Sequence, residues 1–226
     1  MSEIPDLCTE FDWRVYDTPT LAGLAPLIPL PLIDWIFEEY FRRRIPRSIA
    51  RHRNIELPPE TVRILNREQG CVSACLSLPI EIIFELIKRT LKKILYFLSI
   101  KTATDRISRY WHRAFLIDCM ILQGHLNDPE SARLARQAMD RALDEVSTSP
   151  MLSVARRVVS NTRHAFRTLR RARRGEEDEE IREKRSIIQR HWDEFQDHLT
   201  TLASRYHAYY KALRTQAPDE DAKAQL

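Results

Sequence analysis

Residues 18–53 have the sequence TPTLAGLAPLIPLPLIDWIFEEYFRRRIPRSIARHR, in which an uncharged, proline-broken run leads into an arginine-rich amphipathic segment. The uncharged part, residues 18–33, is shorter than the ~20 residues that a membrane-spanning helix needs. Its prolines argue against a regular helix, and they are Pro19, Pro26, Pro29 and Pro31. Two interpretations follow: a buried elbow of the fold, which we favour, or a segment that dips into a bilayer under protein cover.

The composition indicates an all-α protein. Of the 226 residues, 43% are hydrophobic and 30% are charged, so the chain can form a core. Only 4 glycines occur, and alternating β-branched runs are nearly absent, which argues against sheets. We predict a multi-helix bundle with a C-terminal antiparallel helical hairpin. The predicted parts are an acidic N-terminal arm (1–17), an apolar and basic helical domain (18–124), a helical region ending in the hairpin (125–215) and a disordered tail (216–226).

Apolar residues at a spacing of three and four predict the individual helices before the hairpin. Within the first of them, Pro46 should kink or end the helix. The last has a clear start signal in the sequence Asn127-Asp128-Pro129-Glu130. The predicted ranges are 32–53, 57–70, 79–98, 107–121 and 127–146.

The hairpin is predicted over residues 151–213. Its first arm, residues 151–174, is amphipathic and rich in arginine, and an acidic run follows it. In its second arm, apolar residues recur with alternating steps of four and three from Ile188 to Leu213, which is typical of a coiled-coil seam. A hairpin of this kind could bind a partner protein or a second copy of the chain.

Motifs for catalysis and for metal or cofactor binding are absent from the sequence. His191 and His198 lie ~10 Å apart along a helix, too far to share one ion, and Glu194 could join either one with a ligand from another helix. Ordinary solvated polar residues are the better interpretation of all three. Asp118 and His112 lie near an apolar face, where a satisfied core pair is the better interpretation. Cys71 and Cys75 have no second pair, so buried free thiols are expected. We therefore assign no catalytic, cofactor-binding or metal-binding residue and expect no cofactor.

Arginine blocks dominate the charge distribution, although the net charge is only +4. They allow three interpretations: solvated faces, contact with anionic lipid, or contact with nucleic acid, the last being unlikely because an acidic run adjoins the second block. For membrane or anion contact we predict Trp35, Phe37, Tyr40, Phe41, Arg42, Arg43, Arg44 and Arg47. A second basic stripe on a single helix is predicted to consist of Arg156, Arg163, Arg167, Arg170 and Arg174.

Several features between residues 21 and 120 carry a family resemblance. They are the segment PLIPLPLID (26–34), the arginines after it, Ile49-Ala50, NIEL (54–57) and a helix from Glu60 to Gly70. The segment TATDRISRYWHRAFL (102–116) is similar to a closing helix. Together they resemble the EcsC-like helical family and the related domain that follows GTPase domains in bacterial membrane proteins. The resemblance implies an all-helical, membrane-associated accessory protein, and it brings no established catalytic residues.

From these observations we expect a non-enzymatic, cytoplasmic, peripheral membrane protein that docks through its apolar, arginine-flanked segment. Its partner would be an anionic membrane surface. The alternative is a soluble helical adaptor that binds a partner protein, or itself, through the C-terminal hairpin.

Overall fold

The computed structural model describes residues 11–28, 33–67, 92–146, 150–162, 164–176 and 179–216, with only the backbone described for 92–97. Within these ranges the chain forms nine α-helices, two 3₁₀ turns (Ala25–Leu27 and Trp192–Phe195) and no strand, which confirms the all-α fold. The helices are α1 (Trp13–Leu24), α2 (Ile33–His52), α3 (Pro59–Asn66), α4 (Lys92–Leu122), α5 (Pro129–Asp144), α6 (Met151–Ser160), α7 (Ala165–Arg173), α8 (Glu179–Arg190) and α9 (Gln196–Gln216).

Helix α4 is the axis of the bundle. It has 31 residues, which corresponds to ~46 Å at ~1.5 Å per residue. Helices α1, α2, α5, α6 and α9 all pack against it. Apart from Arg113, every residue from Tyr110 to Ile121 is buried, as expected for a helix that is surrounded by others.

Helix α1 packs closely on α4 because Gly23 has no side chain. A Cβ at position 23 would lie 2.7 Å from the backbone N and Cα of Ile107, so only glycine allows this approach. The sequence prediction that the prolines exclude a helix is wrong for this segment, since Pro19 lies inside α1. An interior proline costs ~3 kcal/mol, and burial of nine of the twelve α1 residues offsets that cost.

The segment before α2 is therefore a buried elbow as far as the structure describes it. Leu24, Ala25 and Ile28 are all at most 3% exposed. The predicted acidic arm also differs from the structure, because Trp13, Val15 and Tyr16 belong to α1 and are buried. The three residues lie between Asp12 and Asp17, so counting the charges of this segment did not reveal its buried face.

Helix α2 continues through Pro46, which neither ends it nor marks a boundary. The shorter helix α3 follows where a helix was predicted. Three arginines from three helices point at its carboxyl end: Arg113 and Arg136 donate to the Leu65 carbonyl, and Arg42 donates to that of Asn66. Cations stabilise the negative end of a helix dipole, so this polar junction connects α2, α3, α4 and α5.

The C-terminal region contains four helices rather than two long ones. The arm predicted over 151–174 is interrupted between Ser160 and Ala165, and α8 ends before the 3₁₀ turn Trp192–Phe195. Helix α6 packs on α4 and α8, whereas α9 packs mainly on α5. The antiparallel hairpin as a separate unit therefore stays a prediction.

Buried apolar residues from Trp13 to Leu213 form one continuous cluster that crosses the predicted boundary between residues 124 and 125. The strong helix predicted over 79–98 and the four residues before α2 lie largely or wholly outside the described residues. The same holds for Cys71, Cys75, Arg163 and the tail after Gln216.

Candidate functional site

Helix α2 presents a partly apolar, partly basic face to solvent. Ile36, Tyr40, Arg44 and Arg47 follow one another at steps of three and four residues, and Arg43 lies three residues after Tyr40, so all five lie on one side of the helix. Ile36 is 48% exposed, Tyr40 is half-buried and the three arginines are exposed. Beside them at the start of the helix lies Trp35, which is 55% exposed.

Three of the predicted contact residues face inwards instead. Phe37 and Phe41 stack on each other with ring centroids 6.4 Å apart, and both belong to the core. Arg42 is only 6% exposed. Its Nε and Nη2 donate to the Glu39 carboxylate at 2.9 and 2.6 Å. The prediction of membrane contact is therefore wrong for Phe37, Phe41 and Arg42 in this conformation, because the helical period turns them towards the interior of the bundle.

Glu39 shows how the first arginines of the block are held. Burial raises the pKa of Glu39, but the hydrogen bonds and charges of Arg42 and Arg43 outweigh it and the pKa is lowered overall. These two arginines therefore share one carboxylate. Arg44 and Arg47 lie further along the exposed face.

Helix α7 brings a second set of exposed side chains next to α2. The ring of Phe166 meets that of Phe37 edge-on at 5.9 Å, and Phe166 remains 41% exposed. Further along, the guanidinium carbon of Arg173 lies 5.1 Å from the centroid of the Tyr40 ring. Ala165, Thr168 and Leu169 are the buried residues of α7, and the other side of the helix faces solvent.

Two arginine side chains contact the ring of Tyr40. Arg44 of α2 also lies 5.1 Å from the centroid of this ring, and its Nη1 donates to the Tyr40 hydroxyl. The guanidinium groups of Arg44 and Arg173 are thus at most twice that distance apart. Among the described residues, neither has a carboxylate within ion-pair distance. A cation–π contact contributes ~0.5–1 kcal/mol at an exposed site, so the shared Tyr40 ring holds one cation of each helix at this surface.

We call Trp35, Ile36, Tyr40, Arg43, Arg44, Phe166, Arg170 and Arg173 together the α2–α7 surface. Arg170 belongs to it because it lies four residues after Phe166 and three before Arg173, on the same side of α7. None of Ile36, Phe166 and Arg173 was singled out from the sequence for surface contact.

The predicted basic stripe on a single helix is wrong. Arg156 lies on α6, whereas Arg167 and Arg170 lie on α7 and Arg174 follows its end. All four are exposed. Because the chain turns between the two helices, spacing along the sequence does not place Arg156 in line with the others.

The histidines and acids weighed as chemical groups also have different partners from those expected. Asp118 accepts two hydrogen bonds from Arg53, at 2.8 and 2.6 Å. His112 donates from Nδ1 to the Ser108 carbonyl at 2.6 Å, so its Nε2 accepts from Nε2 of His198 at 2.8 Å. His112 and Asp118 are thus both satisfied, but not by each other. His198 is half-buried rather than solvated.

His191 and Glu194 pair within one turn, at 2.9 Å. In the part of the chain that the structure describes, no group of three or more His, Cys, Asp or Glu side chains is arranged to hold a metal ion. None of the described helices combines the length and the apolar character needed to cross a membrane. Comparison with family models, curated proteins and solved structures finds no match to this chain.

Proposed function

We propose that the protein is a non-enzymatic accessory protein that binds the anionic, cytoplasm-facing surface of a membrane through the α2–α7 surface. The observation that carries the proposal is the position of three exposed apolar side chains, Trp35, Ile36 and Phe166, beside exposed arginines of the same two helices. Aromatic and aliphatic residues next to arginines are the usual composition of an interfacial helix face.

The energies favour a lipid surface over solvent for this combination. Burying a large apolar side chain contributes ~1.5–3 kcal/mol, and each arginine near an anionic surface adds ~1 kcal/mol. The long arginine side chains allow the apolar groups to sink while the guanidinium groups stay with lipid phosphates. Two or three residues of each kind are enough for reversible binding, but not for insertion.

The adaptor alternative has less support than the sequence suggested. The seam from Ile188 to Leu213 is buried within the chain, apart from Tyr209, which is half-buried. Its residues pack into the same cluster as those of α5. Self-association or partner binding through this seam would require α9 to leave the bundle. The EcsC-like resemblance agrees with the membrane proposal and stays a prediction.

Flotation with liposomes of phosphatidylcholine alone or with added phosphatidylserine tests the proposal. We expect the wild-type protein to float with the anionic vesicles at low salt and to be released by salt, because exposed charges are screened. The double variant Trp35→Ser/Ile36→Ser should lose most of this binding. Its matched control is Leu98→Ser, which removes an exposed apolar side chain (54%) from α4 and should bind as the wild type does.

The arginine contribution is tested separately with Arg44→Gln and Arg173→Gln. Each should lower the vesicle partition coefficient about fivefold, the equivalent of ~1 kcal/mol. Arg156→Gln, an exposed arginine of α6, is the control for net charge. The proposal is overturned if the wild-type protein does not float with anionic vesicles at low salt, or if the control variants lose binding as strongly as the surface variants.

A further inference from the structure

A cleft of about 630 Å³ opens where α1, α2, α7 and α8 meet. It lies away from the apolar tip of the α2–α7 surface: Ser48, which lines it, comes thirteen residues after Trp35. At ~1.5 Å per helical residue this is ~20 Å along α2. A volume of this size is in the range that accommodates a small organic ligand.

Three arginines from three helices line this cleft: Arg14 of α1, Arg51 of α2 and Arg185 of α8. Among the described residues, the carboxyl groups that also line it belong to Asp17 and Glu176. The remaining titratable group of the lining is His52, whose Nε2 bonds to the Asp12 carboxylate. Among the described residues of the lining, the three arginines therefore outnumber the two acids, even when the histidine is neutral.

Asp17 is the most enclosed of these acids. Its Oδ1 accepts a hydrogen bond from the Thr18 hydroxyl at 3.0 Å, and the Thr18 oxygen can in turn accept from the Ser48 hydroxyl, whose Oγ lies 3.1 Å away. Burial raises the pKa of Asp17 against the opposing effects of Thr18 and Arg185.

The other part of the lining is apolar. Trp13, Leu21, Ala172 and Ile181 contribute to it. The guanidinium of Arg185 lies over the Trp13 ring, 5.6 Å from its centroid, so a cation and an aromatic surface are held together. Gly175 adds open space at the rim, since nothing lies within 4 Å of the position that its Cβ would take.

We propose that this cleft is a binding site for a small organic anion. The oxyanion group of the ligand contacts Arg14, Arg51 and Arg185, and its apolar body lies against Trp13, Leu21 and Ile181. Guanidinium groups match the geometry of carboxylate and phosphate oxygens. The ligand is a soluble one rather than the headgroup of a docked lipid, because of the distance from Trp35.

The test uses phenyl phosphate as the probe for the full-length protein, in calorimetric titration and in thermal unfolding. Inorganic phosphate supplies the anion without the apolar body, and phenol supplies the body without the anion. We expect saturable binding of phenyl phosphate with a Kd of ~1 mM or lower, a raised melting temperature, and weaker binding of both partial probes.

Arg14→Gln and Arg51→Gln should each weaken phenyl phosphate binding about tenfold, the equivalent of one charge-assisted hydrogen bond. Both residues are exposed, so circular dichroism should show an unchanged fold. Arg47→Gln, one turn earlier on α2, is the matched control and should bind as the wild type does. Arg51→Gln should also leave vesicle flotation unchanged, which separates this site from the α2–α7 surface.

The proposal is overturned if phenyl phosphate does not bind saturably below ~10 mM. It is also overturned if inorganic phosphate or phenol binds equally well, or if the arginine variants and the Arg47→Gln control behave alike.

Discussion

Helix α4 makes different kinds of contact on its two sides. Towards α1, Gly23 brings the helices into backbone contact, and Trp111 Nε1 donates to the Thr20 hydroxyl at 2.9 Å within a fully buried site. Towards α9, the same helix presents His112 to His198. One face thus depends on shape, and the other carries histidines whose protonation would disturb the contact.

The polar character of the α4–α9 face extends to its far end. His125 Nδ1 lies 2.7 Å from the Tyr206 hydroxyl, and Gln123 Nε2 donates to Nε2 of His207 at 2.7 Å. The ring of His125 also stacks on Tyr210, with centroids 3.8 Å apart. Burial raises the pKa of Tyr206, so this hydroxyl stays protonated. The comparison teaches that one helix can have a permanent contact on one side and a pH-dependent contact on the other.

The substitution Gly23→Ala, which disrupts the contact between α1 and α4, should have the largest effect on stability. The added methyl group must displace the Ile107 backbone, so the free energy of unfolding should fall by about 3 kcal/mol, as for a severe case of overpacking. Urea unfolding at pH 7.5 measures it.

Gly175→Ala is the matched control for Gly23→Ala. Its Cβ has open space, but its φ of +82° disfavours a side chain, so about 1 kcal/mol should be lost. If both substitutions lower the free energy of unfolding by the same amount, close packing at Gly23 is not what holds α1 on α4.

The second expected effect is a loss of stability at acid pH, caused by the histidines between α4 and α9. Burial, with a contribution from the charge of His198, lowers the pKa of His112 to about 4, against the opposing hydrogen bond to Ser108. Below pH 6.5 the unfolded chain therefore binds a proton that the folded chain does not, so stability falls as the pH falls towards 4. Between pH 6.5 and pH 5, His112 alone should account for a loss of about 2 kcal/mol.

Three other histidines at this face add to the same trend. Burial lowers the pKa of His125 to about 4, helped by His207 and Arg214, and burial also lowers the pKa values of His198 and His207. Urea unfolding between pH 7.5 and 5 should therefore show a steep loss for the wild type and a smaller one for His112→Gln. A wild-type stability that is flat over this range would contradict the assignment of neutral histidines to this face.

The sequence was sufficient for the elements whose signals are local. Helix α5 begins at Pro129 because Asp128 accepts a hydrogen bond from the Ser131 backbone at 2.8 Å, and the four-residue start signal predicted it. Helix α2 was predicted to within a residue or so at each end. The signal is a helix cap for α5 and the helical spacing of apolar residues for α2, and neither signal depends on the rest of the chain.

The features that the sequence did not reveal depend on tertiary contacts. Pro19 is tolerated inside a helix only because α4 covers that helix. The heptad pattern showed which residues of α9 are apolar, but not that α5 would cover them. His112 and His198 are 86 positions apart, and Phe37 and Phe166 are 129 apart, so no spacing rule brings either pair together.

The smallest of the three effects tests the polar contact within the otherwise apolar α1 face. Thr20→Val keeps the shape of the side chain but removes the hydroxyl that accepts from Trp111 and donates to the Tyr16 carbonyl at 2.6 Å. An indole N–H left buried without an acceptor should lower the free energy of unfolding by about 1.5 kcal/mol. Urea unfolding at pH 7.5 measures it, with Thr20→Ser, which retains the hydroxyl, as the control. The loss should be the same at pH 5, because neither Thr20 nor Trp111 titrates. A loss that changed with pH would show that the two faces of α4 are not independent. A loss matched by the serine variant would show that the hydroxyl group of Thr20 is not its cause.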